Sequence, residues 1–128
     1  MKCLVVDDSL ITRRILINTL RIIGFTEIIE AGDGAQALEV CTPDVSVVLT
    51  DWNMPGMAGV EFVRSLRARP ALAAIPVLLI TSRNGKDDVV EASDAGITGY
   101  LVKPFKPETL KAKILDVLGG QAVTGTDG

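Results

Sequence analysis

The chain has 128 residues, enough for one domain around one core. Hydrophobic residues make up 48% and aromatic residues only 4%, while a net charge of −3 and a pI near 4.9 leave no basic footprint for nucleic acid. The absence of histidine excludes histidine-based acid–base catalysis and zinc sites of the usual kind.

The first apolar run, Cys3-Leu4-Val5-Val6, predicts a strand near 2–7 that ends in Asp7-Asp8. That run is too short for a signal-peptide core, and no run approaches the ~18 apolar residues of a membrane span, so a cytoplasmic protein is expected. Ser9 can cap a helix near 9–23, on which Leu16, Leu20 and Ile23 fall at i, i+4 and i+7. A strand near 27–31 leads to a helix near 34–42, opened by Asp33 and Gln36 as an approximate capping box. Next comes a strand near 45–50, in which Val47-Val48-Leu49-Thr50 runs into Asp51. The turn residues Pro55-Gly56 separate it from a helix near 58–68, whose Arg64, Arg67 and Arg69 read as a solvated face.

A strand near 76–81 carries Val77-Leu78-Leu79-Ile80 into Thr81, and a helix near 86–95 stops at Gly96. The last strand, near 98–103, carries Tyr100-Leu101-Val102 into Lys103. Pro107 suits the first position of a final helix near 107–118, with Leu110, Ile114, Val117 and Leu118 as its stripe and Gly119 as its stop. The domain is therefore expected at 1–119, followed by a flexible tail at 120–128. Cys3 and Cys41 are expected to be buried free thiols.

Five strands alternating with five helices predict an α/β fold, a doubly wound parallel sheet with helices on both faces. In a parallel sheet all strand ends fall on one edge, where such folds bind ligands. Asp7, Asp8, Asp51, Thr81 and Lys103 would meet there. Clustered carboxylates raise one another's pKa, and a hard divalent cation such as Mg²⁺ offsets that cost with oxygen ligands. A carboxylate at a strand end can also act as a nucleophile and form an aspartyl phosphate, with a hydroxyl and an ammonium serving the phosphoryl oxygens. Each residue has an ordinary reading too. Asp8 can cap a helix, Asp51 and Asn53 can belong to a turn, and Thr81 can be a β-branched strand residue. Tyr100 can be half-buried on an edge strand, and Trp52 can merely shield the site.

The motifs Val6-Asp7-Asp8-Ser9, Thr50-Asp51-Trp52-Asn53-Met54-Pro55-Gly56, Thr81-Ser82 and Gly99-Tyr100-Leu101-Val102-Lys103-Pro104-Phe105 closely resemble the receiver domain of two-component response regulators. The resemblance covers residues 2 to 118 and is closest to single-domain chemotaxis regulators. It implies a flavodoxin-like strand order 2-1-3-4-5 and a switch driven by phosphorylation, not a turnover enzyme acting on a separate metabolite. It further implies Asp51 as phosphoacceptor, Asp8 and Asp51 as Mg²⁺ carboxylates, the Asn53 backbone carbonyl as a third ligand, and Asp7 as the acid that holds metal-bound water. Thr81 and Lys103 resemble the pair that reads the new phosphate, Tyr100 the aromatic that turns inward when Thr81 moves, and Lys103-Pro104 the family's cis peptide.

The implied partners are a sensor histidine kinase as phosphodonor and a downstream protein, with the flagellar motor switch a candidate; no nucleic acid or membrane partner is implied. A stand-alone receiver that relays phosphate or docks to a kinase or other regulator is the alternative. One position departs from the chemotaxis regulators. Arg83, two residues after Thr81, stands where they carry an acid, and a cation there could pair with the phosphate or block the attacking water.

Overall fold

The structure, a computed structural model, describes residues 1–122. Its elements in chain order are β1 (Lys2–Val6), α1 (Leu10–Ile23), β2 (Glu27–Ala31), α2 (Gly34–Val40), β3 (Val47–Thr50), α3 (Gly59–Ala68), β4 (Val77–Thr81), α4 (Lys86–Ala95), β5 (Gly99–Val102) and α5 (Pro107–Ala122). The five strands form one sheet in the order β2-β1-β3-β4-β5, and every pairing is parallel.

The strands read as continuous apolar runs because both faces of the sheet are covered. Period-two alternation still divides them. Leu4, Val6, Val48, Val77 and Leu79 face one core with Val60, Phe62, Val63 and Leu66 of α3 and Ala92 and Ala95 of α4. Cys3, Val5, Val47, Leu49, Leu78 and Ile80 face the other, against Leu16 and Leu20 of α1 and Leu110, Ile114 and Val117 of α5. The expected stripes on α1 and α5 thus pack on this core, with Ile23 and Leu118 half-buried at its margin, and both cysteines are free and buried.

Local signals act where expected. Ser9 caps α1 by accepting from the Thr12 N–H at 3.2 Å, and Asp33 caps α2 by accepting from the Gln36 N–H at 2.8 Å. The Gln36 side chain reaches back to the Gly32 N–H, one residue short of a standard capping box. Gly96 closes α4 with φ +106°, a conformation other residues avoid.

Two expectations differ. Gly119 does not stop α5, which runs on to Ala122; no positive φ occurs at Gly119, so it lacks the left-handed turn that ends a helix. Positions 123–128 of the expected tail lie outside the described residues. Arg67 is not part of a solvated face: its guanidinium donates to the carbonyls of Gly96, Ala73 and Ile75 at 2.8–3.0 Å, tying α3 to the turns around β4 and α4. A basic residue near a helix end looks solvated in sequence because the carbonyls it satisfies are distant or irregular. Arg64 and Arg69 are exposed.

Candidate functional site

The sheet order places β1 beside β3 and β3 beside β4, with Val6 opposite Thr50 and Thr50 opposite Leu79. The ladder continues one residue beyond the strands. The Asp7 N–H donates to the Ala31 carbonyl at 3.1 Å, the Asp51 N–H to Val6 at 3.0 Å, and the Lys103 N–H to Thr81 at 2.8 Å. Each charged residue therefore emerges from a backbone already pinned by its neighbour strand. The main-chain turn after Asp51 is equally constrained. The Gly59 N–H donates to the Trp52 carbonyl at 2.7 Å, and a Cβ on Gly59 would stand 2.0 Å from the Asp51 carbonyl oxygen. Only a glycine fits there. Gly56, with φ +75°, supplies the left-handed residue of the turn.

At the centre, Lys103 Nζ lies 3.1 Å from Asp51 Oδ2 and 3.4 Å from Asp7 Oδ2. Asp7, Asp8 and Asp51 each offer a carboxylate oxygen, and these oxygens lie within 4.8 Å of one another. Asp7 is buried, Asp51 half-buried and Asp8 exposed, so the cluster opens to solvent on one side. The second oxygens of the two inner carboxylates are held by main chain: Asp7 Oδ1 accepts from the Ser9 N–H at 2.8 Å, and Asp51 Oδ1 from the Trp52 N–H at 2.6 Å. Arg13 donates to the Asp7 carbonyl and pairs with Glu30, bracing the end of β1 from outside.

Burial raises the pKa of Asp7 above the ordinary aspartate range; the Ser9 N–H and the Lys103 ammonium counter this, and Asp51 adds to it. Three carboxylates against one ammonium leave a formal charge of −2. Hard oxygen donors and that residual charge suit a hard divalent cation, and the site fits one by its donor chemistry.

Thr81 is fully buried at the end of β4, and its hydroxyl oxygen accepts from the Arg83 N–H at 3.2 Å. Arg83 then folds over the mouth of the site. Its guanidinium is 4.5 Å from the centre of the Trp52 ring, donates twice to Asn53 Oδ1 at 3.2 and 2.9 Å, and pairs with Asp88 at 3.5 Å. The Tyr100 hydroxyl donates to the Arg83 carbonyl at 2.6 Å. Trp52 is buried, Asn53 is exposed, and Tyr100 is half-buried on the edge strand β5; burial and the Asp88 charge raise the Tyr100 pKa. The Lys103-Pro104 peptide is cis.

All the residues expected at the sheet edge are thus brought together. Two contributors escaped the sequence reading. Gly59 carried a weak signal, a glycine soon after Pro55-Gly56, but nothing local tells of the Asp51 carbonyl above it. The clamp of Arg83 on Trp52 and Asn53 spans 30 residues and leaves no local trace. Among the described residues, no helix is long and apolar enough to cross a membrane.

Comparison with known proteins agrees with this geometry. The response regulator receiver domain matches residues 3–115. A chemotaxis protein CheY homolog of Campylobacter jejuni is 46% identical over 121 residues, covering 93% of each chain. Chemotaxis protein CheY of Pseudomonas aeruginosa is 46% identical over 115 residues, 89% of this chain and 93% of its own. The structure of the chemotaxis response regulator CheY4 of Vibrio cholerae aligns with a TM-score of 0.83 at 38% identity, over 91% of this chain and 98% of that one.

Proposed function

The chain belongs to the response regulator receiver family, and from that footing we propose that it is a phosphorylation-activated switch of bacterial chemotaxis, with Asp51 as its phosphoacceptor. The family is one of signalling proteins, not of metabolic enzymes. The observation that carries the reading is the meeting of Asp7, Asp8, Asp51 and Lys103 at one open edge of the sheet. The relatives named for chemotaxis support that pathway over a general phosphorelay.

The donor is the phosphohistidine of a sensor kinase, as for the family, and that group belongs to another molecule because this chain has no histidine of its own. An Asp51 carboxylate oxygen attacks phosphorus as the bond to the donor's imidazole nitrogen breaks, and the imidazole keeps that electron pair. Catalysis of such a transfer is mostly positioning and charge neutralisation. Trp52 and Lys103 orient the Asp51 carboxylate through their bonds to its two oxygens. Lys103 turns its ammonium toward the incoming oxygens. Thr81 uses its oxygen only as an acceptor among the described bonds, which leaves its hydroxyl proton for a phosphoryl oxygen. Asp8, Asp51 and the Asn53 backbone carbonyl would hold Mg²⁺, with Asp7 reaching it through water; the ion supplies further neutralisation of the phosphoryl oxygens. Water later hydrolyses the acyl phosphate and resets the switch.

Charge-assisted hydrogen bonds contribute about 1.5–3 kcal/mol each, so two new ones, from Thr81 and Lys103, supply roughly 3–6 kcal/mol. A near-complete population shift needs about 5.5 kcal/mol. The requirement falls near the top of that range, so phosphorylation moves most molecules where both bonds are strong and activates partially where they are weaker. The responding element is the face of α4, β5 and α5, reached from Thr81 through Arg83 and Tyr100, and the flagellar motor switch is the target we assign to it. The protein acts in the cytoplasm, where the kinase phosphohistidine forms.

The test is direct. Acetyl phosphate should add one phosphoryl mass to the protein in the presence of Mg²⁺ and change Trp52 emission; Asp51→Asn should abolish both. Labelling that survives Asp51→Asn would place the acceptor elsewhere.

A further inference from the structure

The geometry points to a second ligand site that shares no residue with the Asp51 cluster: a groove between α1 and the edge strand β2 that takes a guanine mononucleotide, with its phosphates on Arg14 and Arg21 and its base against Glu30. Among the described residues β2 has β1 on one side and no strand on the other, so the flank of α1 overhangs an open sheet edge. Glu30 stands opposite Val5 in the ladder and therefore points to the α1 side of the sheet. The groove has a volume of about 240 Å³ and is lined by Leu10, Arg14, Ile17, Asn18, Arg21 and Glu30. That is room for one nucleotide and not for a larger cofactor.

The helix wall of the groove calls for an anion. Arg14 and Arg21 lie on one line of α1, two turns and about 10 Å apart by helical rise. Both side chains line the same groove, and among the described residues neither pairs with a carboxylate. α1 has no acidic residue along its 14 residues, so nothing on the helix competes for them. A guanidinium binds phosphate oxygens through a planar fork of N–H donors, and a diphosphate placed between the two arginines meets both. The Asp7, Asp8 and Asp51 carboxylates repel the same phosphates when no metal neutralises them.

The strand wall selects the base. Arg13 Nε donates to Glu30 Oε1 at 2.9 Å, which fixes the carboxylate and leaves Oε2 without a partner among the described residues. Guanine presents two adjacent donors, N1–H and N2–H, along one edge, and a carboxylate accepts both. Adenine presents an acceptor at N1, which a carboxylate opposes. Leu10, 52% exposed, and the half-buried Ile17 give the ring an apolar floor, and the Asn18 amide meets sugar hydroxyls as donor or acceptor. An apolar floor with a few placed polar groups is the make-up of a small-ligand site. A bare phosphate would satisfy the arginines but leave Glu30 facing another anion, so the acidic wall favours a ligand that also carries donors.

The experiment is calorimetric titration of the full chain with GDP, ADP and inorganic pyrophosphate in EDTA, so that Mg²⁺ recruits no phosphate to Asp51. GDP should bind, more tightly than ADP or pyrophosphate by roughly tenfold or more, and its binding should weaken as salt rises. Arg14→Ala combined with Arg21→Ala should weaken all three ligands roughly tenfold or more. Glu30→Gln should instead erase the preference for GDP over ADP while pyrophosphate binding is kept, a pattern that general loss of structure does not give. Arg64→Ala, on α3, should change nothing. All these positions are exposed, and acetyl phosphate labelling of each variant with Mg²⁺ reports that it is folded. Absence of GDP binding, equal binding of ADP or pyrophosphate, indifference to the arginine substitutions, or a preference for GDP that survives Glu30→Gln would overturn the assignment. So would displacement of GDP by phosphatidylglycerol vesicles at equal phosphate concentration, which would make the groove a site for lipid headgroups.

Discussion

The two halves of the site are built by different means. In one half, Asp7, Asp51 and Lys103 each sit one residue past a strand, β1, β3 and β5 in turn, and are held by a continuing ladder bond to the neighbouring strand. In the other half, Arg83 after β4, Trp52 and Asn53 after β3, and Tyr100 of β5 meet almost entirely through side chains, over an exposed rim. The first half is pre-organised by main chain, so its geometry costs little to maintain when charge arrives. The second half is held by bonds that can be exchanged, as a response to a new phosphate requires. Rigid placement and exchangeable contacts are thus separated across one sheet edge.

Substitutions in the rigid half should have the larger effects. Gly59→Ala drives a methyl into the Asp51 carbonyl, and the neighbour is main chain that cannot yield cheaply. The unfolding free energy should fall by about 3 kcal/mol or more in urea titration, with acetyl phosphate labelling slowed in parallel. A loss below about 1 kcal/mol would show that the β3–α3 turn is far softer than drawn here.

Asp7→Asn sharpens the same half from the opposite direction. The pKa of Asp7 is raised in the fold, so the folded state holds its proton more tightly than the unfolded chain does. Its contribution is favourable at low pH, fully so below the ordinary value of 3.8, and is lost as pH rises through the elevated folded value. At neutral pH in EDTA, Asp7→Asn should therefore raise Tm by roughly 3–5 °C and flatten its pH dependence. Mg²⁺ at 100 times its Kd should add about 2.7 kcal/mol to the wild type and less to the variant. A variant less stable than wild type in EDTA would mean that the Lys103 pairing outweighs burial.

In the exchangeable half the effects are kinetic. Arg83→Glu removes a cation from the rim and frees Asn53 Oδ1, opening the path of the attacking water. Loss of the phosphoryl group should quicken several-fold, equivalent to about 1 kcal/mol of barrier, with unfolding little changed. An unchanged dephosphorylation rate would deny the clamp any part in the reaction. The smallest effect belongs to Tyr100→Phe, which deletes the bond to the Arg83 carbonyl. Stability should drop by no more than about 1 kcal/mol, while the Trp52 emission change on phosphorylation should diminish. A Trp52 response identical to wild type would cut Tyr100 out of the path to the α4–β5–α5 face.

The same division explains what was legible in the sequence. Asp7, Asp8, Asp51 and Lys103 stand out because apolar strand residues stop abruptly at them, and burial periodicity is a local property of the chain. Ser9, Asp33 and Gly96 act within a few residues of themselves, so their capping roles were legible as well. Gly119 misled because a glycine can sit inside a helix at a cost of only about 1 kcal/mol. Arg67 misled because its three carbonyl partners lie in turns whose position follows from packing.

Continuous apolar runs alternating with helical stripes therefore sufficed to establish an α/β protein, its strand ends and the charged residues that share an edge. Which strands become neighbours was a matter for packing across both faces of the sheet, and the motifs supplied the order only through resemblance. That order puts β1 against β3 and closes Asp7 and Asp51 onto one lysine; it also carries Arg83 to Trp52 and Asn53. Local pattern is dictated by which residues avoid water, whereas contacts between distant segments exist only once the whole core has chosen its arrangement.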